Sequence, residues 1–126
     1  MRRVTEQEQM MTQANYTQAQ IDAIVTEAKT AAYEAADRFF NDKLGGQDRY
    51  SCGFAWVEIF GVKGNTRLGK MLKAAGLRKD FSRTFTLWNP AGYGCQNVDT
   101  LEQGADAAAA VFVKHGFQAY AASRLD

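Results

Sequence analysis

The stretch that most constrains this chain is YTQAQIDAIVTEAKTAAYEAADRFFNDKLGG, residues 16–46. Thr17 followed by Gln20 has the spacing of a capping box, and Tyr16 with Ile21 fits a hydrophobic staple around it. Ile21, Ile24, Ala28, Ala31, Ala35 and Phe39 recur at helical spacing, among seven alanines between Ala19 and Ala36. Gly45 and Gly46 supply a left-handed stop. The pattern predicts one helix from Gln18 to the paired glycines, about 27 residues and roughly 40 Å long at 1.5 Å per residue.

That length sets a packing problem. A chain of 126 residues makes one domain about 30 Å across, too small to cover such a helix. Its stripe of small residues lets a second helix approach closely. The expectation is therefore a homo-oligomer built on the 17–46 element, against the plainer alternative of a surface helix packed on its own sheet.

The remainder reads as short alternating elements. Residues 1–16 are polar and are expected to form a flexible tail. In YSCGFAWVEIFG, Cys52, Phe54, Trp56, Glu58 and Phe60 alternate with Gly53, Ala55, Val57 and Ile59. Both sets are largely apolar, as in a strand covered on both faces. Asn65 is a natural cap for a helix that buries Leu68, Leu72 and Ala75 and stops at Gly76. RTFTLW, 83–88, alternates as a strand. Asp99 and Glu102 form a second capping box, opening a helix that ends at His115–Gly116. FQAYAASR, 117–124, closes as a strand. The order is α-β-α-β-α-β: one α+β domain, a long N-terminal helix followed by a compact part over 50–126 with a small sheet.

Hydrophobic residues are 46% and charged residues 23%, the balance of a globular chain. Two cysteines and one histidine exclude a disulfide framework and a structural zinc site, and no cofactor is expected. The N-terminal residues lack a signal-peptide core, and no apolar run approaches the roughly 20 residues of a membrane span. A cytoplasmic protein without membrane contact is expected.

The net charge is only +1, but Lys63 to Arg83 holds seven cations and one anion, Asp80. An anionic ligand suits this local patch. Arg67 lies in the first turn of a helix whose free N–H groups also favour anions. GVKGNTRLGK lacks the spacing of a nucleotide-binding Walker loop. A second concentration of chemistry is FTLWNPAGYGCQNVD, 85–99. Trp88 and Tyr93 offer flat faces for a base. Asn89, Gln96 and Asn97 offer paired donors and acceptors, and Pro90 stiffens the turn that holds them. Catalytic groups are sparse. His115 sits where a helix C-terminus favours it, Cys52 and Cys95 read as apolar packing residues, and Glu102 with Asp106 reads as a solvated pair. No enzyme is expected.

From Cys52 on, CGFAWV, GVKGNTRLGKMLKAAG, LWNPAGYG, QGADAAAAVF and the closing AYAASRLD resemble, in that order, the first Thoeris anti-defence family. These are phage proteins that sequester cyclic ADP-ribose signals made by bacterial TIR enzymes. The likeness covers residues 17–126. It implies a protein of the infected bacterial cytoplasm that binds a cyclic ADP-ribose isomer tightly without degrading it. It also implies a dimer or trimer of dimers, and in some members separate pockets for cyclic oligonucleotides. The family's arginine on phosphate, aromatic on adenine and polar asparagine would correspond to Arg67 or Arg124, Phe85 or Trp88, and Asn89 or Asn97. A nucleic-acid-binding or host-protein-inhibiting factor using the 63–83 patch is the alternative, with nucleic acid the less expected partner.

Overall fold

The computed structural model describes residues 15–47, 51–79, 84–93 and 97–125. The expected tail up to residue 14, Asp80 to Arg83, and Cys95 with Gln96 lie outside the described residues. Seven elements follow in order: α1 (Gln18–Leu44), β1 (Gly53–Phe60), α2 (Arg67–Ala74), β2 (Arg78–Lys79), β3 (Phe85–Trp88), α3 (Val98–Lys114) and β4 (Gln118–Leu125). The fold is α+β, as the sequence predicts.

α1 starts and stops where its residues dictate. The Thr17 hydroxyl accepts from Gln20 N–H at 3.2 Å, and Gln20 Oε1 accepts from Thr17 N–H at 2.8 Å. Gly45 ends the helix at φ 62°, in the left-handed region that a side chain would disfavour. Tyr16, expected in the tail, belongs to the fold: its hydroxyl donates to the His115 carbonyl and its ring stacks on Phe117 at 5.8 Å.

The buried stripe of α1 is shifted from the expected one and is covered from within the chain. Ala28, Ala32 and Ala36 are fully buried, whereas the expected Ala31, Ala35 and Phe39 are only half-buried, and α1 makes its most extensive contact with α3. Gly104 of α3 is the point of closest approach. A Cβ there would lie 3.1 Å from the Ala32 carbonyl oxygen and 2.8 Å from Ala91 Cβ. The two helices thus meet backbone against backbone. Ile21, Ile24 and Val25 extend the same face into the core, each contributing about 1.5–3 kcal/mol by burial.

The sheet runs β2-β3-β1-β4, all antiparallel. Its inner face carries Ala55, Val57, Ile59, Phe85, Leu87 and Ala119 against the helices. β1 was expected to be covered on both faces. In the structure only the set starting at Gly53 is covered. The opposite set, starting at Phe54, has no described element packed over it.

Two helix starts differ from expectation. Thr66, not Asn65, caps α2, accepting from Gly69 N–H at 3.1 Å. Asn97, not Asp99, caps α3. Asn97 Oδ1 accepts from both the N–H and the hydroxyl of Thr100, at 3.0 and 3.1 Å. A buried asparagine with two local donors outcompetes an exposed aspartate for the cap.

Candidate functional site

The site grows from the end of β3. Asn89 N–H donates to the Ala55 carbonyl, which still belongs to the sheet, and Gly92 N–H returns to the Asn89 carbonyl, both at 3.0 Å. The second bond closes a tight turn with Pro90 at its first corner, where the fixed proline φ is preset. Asn89 itself sits at φ 43°. Asparagine and aspartate enter that region at least cost among residues with a Cβ, and a following proline restricts the backbone further. Pro90 and Ala91 are buried, so the turn is pressed onto the helices rather than hanging in solvent.

Beside this turn lies a cavity of about 370 Å³, lined by Lys29 of α1, Gly76, Arg78 of β2, Thr86, Trp88 and Asn89, among others. The volume is within the range of small-molecule sites. It exists because β2 is only two residues long. It pairs with Phe85 and Thr86 only, leaving Leu87 and Trp88 of β3 paired with β1 on one side and with no described strand on the other. Asn89 Oδ1 is buried with no hydrogen-bond partner. An unmet buried carbonyl costs about 1–3 kcal/mol, a cost that a shift of the Asn89 side chain toward a donor would relieve. Lys29 and Arg78 are exposed and form no ion pair among the described residues. The mouth is therefore cationic, with the Asn89 residue in its wall.

Trp88 joins the cavity to a second surface. On the sheet face away from the helices, Trp88 stacks on Trp56 with centroids 5.4 Å apart, Phe54 leans on Trp88 at 5.6 Å, and the Arg124 guanidinium lies 5.3 Å from the Phe54 centroid. Glu58 accepts from the Trp56 indole N–H at 3.2 Å. Farther along, Phe60 meets Tyr120 edge to face at 5.5 Å. Trp88 is 49% exposed, Phe60 40% and Tyr120 61%.

The residues singled out from the sequence divide sharply. Trp88 and Asn89 line the cavity. Arg124 shares the open face with Trp88, two strands and two residues away, roughly 12 Å by strand geometry. Arg67 opens α2, whose other end reaches the cavity near Gly76, about 12 Å along the helix. Phe85 is fully buried on the inner face, with Lys79 Nζ 5.0 Å from its centroid, so it cannot stack on a ligand. Asn97 is fully buried in its capping role. Tyr93 packs against Tyr33 and Phe40, and its hydroxyl donates to Asp37 Oδ1 at 2.7 Å. It anchors the turn to α1. Lys73 and Lys79 of the basic segment donate to the Gly64 and Val62 carbonyls, which ties part of the patch to its own loop.

Sequence reasoning counted Arg78 only as one cation of the 63–83 patch, and it missed Lys29, Phe54, Trp56 and Tyr120. The aromatic set had a signal, because Phe54, Trp56 and Phe60 share one parity of β1. Lys29 had none, since nothing local places a helix residue beside a turn 60 positions later.

The shifted carboxylates lie elsewhere. Lys114 and His115 hold the Glu27 carboxyl below the usual range, and burial, then Glu102, pushes Asp106 up. Neither lines the cavity, whose described lining holds no carboxylate, imidazole or thiol. Cys52 is exposed beside the Asn97 bridge. No cluster that could hold a metal is present among the described residues, nor any helix long and apolar enough to cross a membrane. The chain matches no protein-family model, no curated protein and no solved structure.

Proposed function

We propose that the protein binds and sequesters an anionic nucleotide-derived signal, a cyclic ADP-ribose isomer, without degrading it, as a phage counter to a bacterial defence. The observation that carries this reading is the cavity beside Trp88, which Lys29, Arg78 and Asn89 line together. Cations suit phosphates, the buried acceptor suits a ribose hydroxyl or exocyclic amine, and the half-exposed indole suits a base. Arg78 and Lys29 take the phosphate role that the sequence offered to Arg67 or Arg124. A described lining without carboxylate, imidazole or thiol favours holding over turning over.

The test is recovery. The protein is incubated with cyclic ADP-ribose isomers and cyclic oligonucleotides, separated from free ligand, and denatured. The expected result is one cyclic ADP-ribose isomer released intact, with retention lost in Arg78→Ala and Lys29→Ala. Steady appearance of a linear product, or retention of none of these compounds, overturns the proposal.

One observation favours a second reading. Exposed aromatics on a four-stranded antiparallel sheet are a platform on which single-stranded nucleic acid stacks. Salt separates the two, because a polymer held through several phosphates loses affinity steeply with ionic strength, and a small ligand in a cavity loses less.

A further inference from the structure

The sheet ends on β4, whose outer edge has no strand beside it among the described residues. One bond fixes the backbone directions along that edge. Asn89 N–H donates to the Ala55 carbonyl on the β3 side of β1. Both backbone groups of a strand residue point the same way, and the direction reverses at each residue. Ala55, Val57 and Ile59 therefore turn theirs toward β3, and Phe54, Trp56, Glu58 and Phe60 turn theirs toward β4. The β4 partners of that second set are Arg124, Ala122, Tyr120 and Gln118, which direct their N–H and C=O groups at β1. The N–H and C=O groups of Ala119, Ala121, Ser123 and Leu125 point off the edge. We infer that this edge takes up an extended segment of another protein as an added strand, and that the segment carries one lysine or arginine over the sheet face.

Two observations select that occupant. The first is the edge itself. A row of free backbone donors and acceptors is matched along its length only by another extended backbone. Natural edges are protected by shortness, proline, lysine or a bulge. β4 is eight residues long, pairs with β1 without a break, and contains neither proline nor lysine.

The second is charge. Glu58 is half-buried on the open face, and no cation pairs with it among the described residues. The Trp56 indole N–H, which bonds its Oε1, is a neutral donor to a charged group. A residue of the added strand opposite Ala122 projects onto the same face. It lies two strand spacings, about 9–10 Å, from β1, with only the Ala122 methyl between. Trp56 pairs with Ala122 and Glu58 with Tyr120. A long cationic side chain crossing that methyl ends against the indole and beside the carboxylate, with Tyr120 along one flank. The face already holds one cation in this manner, Arg124 at 5.3 Å from the Phe54 centroid. Arg124 repels a second cation close to it, so the complement is one basic residue among neutral ones. A polyanion leaves the backbone row unmet and meets Glu58 on the face. A second copy offers β4 itself, whose single basic residue is already held over Phe54. The inference stands whether or not the cavity holds a nucleotide.

The test uses the full chain, immobilised, with a phage-displayed library of random linear octapeptides as the probe. The best-retained sequence is then synthesised and titrated. Retained sequences should be rich in β-branched residues and carry one lysine or arginine. The synthetic peptide should slow amide hydrogen exchange at Ala119, Ala121, Ser123 and Leu125 by at least about tenfold. It should leave Tyr120 and Ala122, already bonded to β1, unchanged. Ala121→Pro and Ser123→Pro each delete one outward N–H and no bond to β1, a change that an edge strand accommodates; the second also drops the Ser123 hydroxyl bond to Glu102. Each should weaken the peptide by at least about tenfold with unchanged circular dichroism. If neither variant folds, the exchange pattern of the wild type decides. Glu58→Gln should remove the advantage of the basic peptide over the same peptide with alanine at that position. An undiminished advantage overturns the pairing with Glu58. No retained peptide, undiminished binding by the folded proline variants, or slowed exchange that spares the four edge amides overturns the inference. So does protection of those amides in the free protein that rises with its concentration, which would make a second copy the occupant.

Discussion

The Trp88 and Trp56 rings stack across paired strands, 13° from parallel, while about half of Trp88 still faces solvent. Phe85, three residues earlier in β3, is wholly enclosed. The two aromatics should therefore respond oppositely to truncation. Trp88→Ala forfeits a cross-strand aromatic pair, about 0.5–1.5 kcal/mol. Phe85→Ala opens a core cavity, about 3–5 kcal/mol. If Trp88 stacks a base, its loss weakens the ligand by about 1–3 kcal/mol, roughly tenfold or more. Thermal melts and calorimetric titration of both variants check this. A Trp88→Ala protein as destabilised as Phe85→Ala would return Trp88 to the core.

Asn89 separates backbone strain from ligand contact. Glycine at φ 43° is unstrained, while alanine there costs about 1–2 kcal/mol. Asn89→Gly should fold at least as stably as the wild type, and Asn89→Ala less so. Both remove the buried acceptor, so both should weaken a nucleotide ligand about tenfold. Undiminished affinity in the glycine variant would remove Asn89 from the site.

The helices and three of the four strands were legible because their signals are local; β2, two residues long, carries no alternation to read. The Thr17–Gln20 box, Gly45 and the β1 alternation each act within a few residues. What was not legible depended on which chain covers which face. The alanine stripe of α1 looked unmatched because the small residues that meet it, around Gly104 and Ala108, come about 70 positions later. The same long-range pairing turned Phe85 inward and Trp88 outward, although both sit in one short strand. Asn89 and Asn97 look alike in sequence. One is left with an unmet carbonyl and the other satisfies Thr100, a difference set by the turn between them.

Gly104→Ala tests the close approach of α1 and α3. In an exposed helix the change would gain about 1 kcal/mol. Here the added methyl meets Ala91 Cβ at 2.8 Å and the Ala32 carbonyl at 3.1 Å, and neither can swing aside as a long side chain would. Overpacking of this kind costs about 1–3 kcal/mol. The expected net result is a lower melting temperature. A higher one would mean that the helices separate freely, and the Ala91 turn beside the cavity with them.

Two carboxylates give stability opposite dependences on pH. Glu27 accepts from Lys114 and lies 3.0 Å from His115 Nε2, and these contacts, Lys114 first, lower its pKa. The unfolded chain therefore binds more protons between that lowered value and the ordinary glutamate value of about 4.3. The contact's stabilisation is present above about pH 4.3 and is lost as pH falls through the folded value. Its size is small because the pair is exposed. Asp106 runs the other way. Burial, then its neighbour Glu102, raises its pKa, so the folded state holds this proton more tightly and ionisation above the raised value costs stability. Glu27→Gln should lower the melting temperature near pH 7, with the deficit closing toward pH 3. Asp106→Asn should raise it near pH 7, with the gain vanishing toward pH 3. Melts of both variants and wild type across that range check the signs. A Glu27→Gln deficit that stays constant with pH would show that the side chain stabilises through packing, and a loss in Asp106→Asn at neutral pH would show that the ionised carboxylate makes a favourable contact.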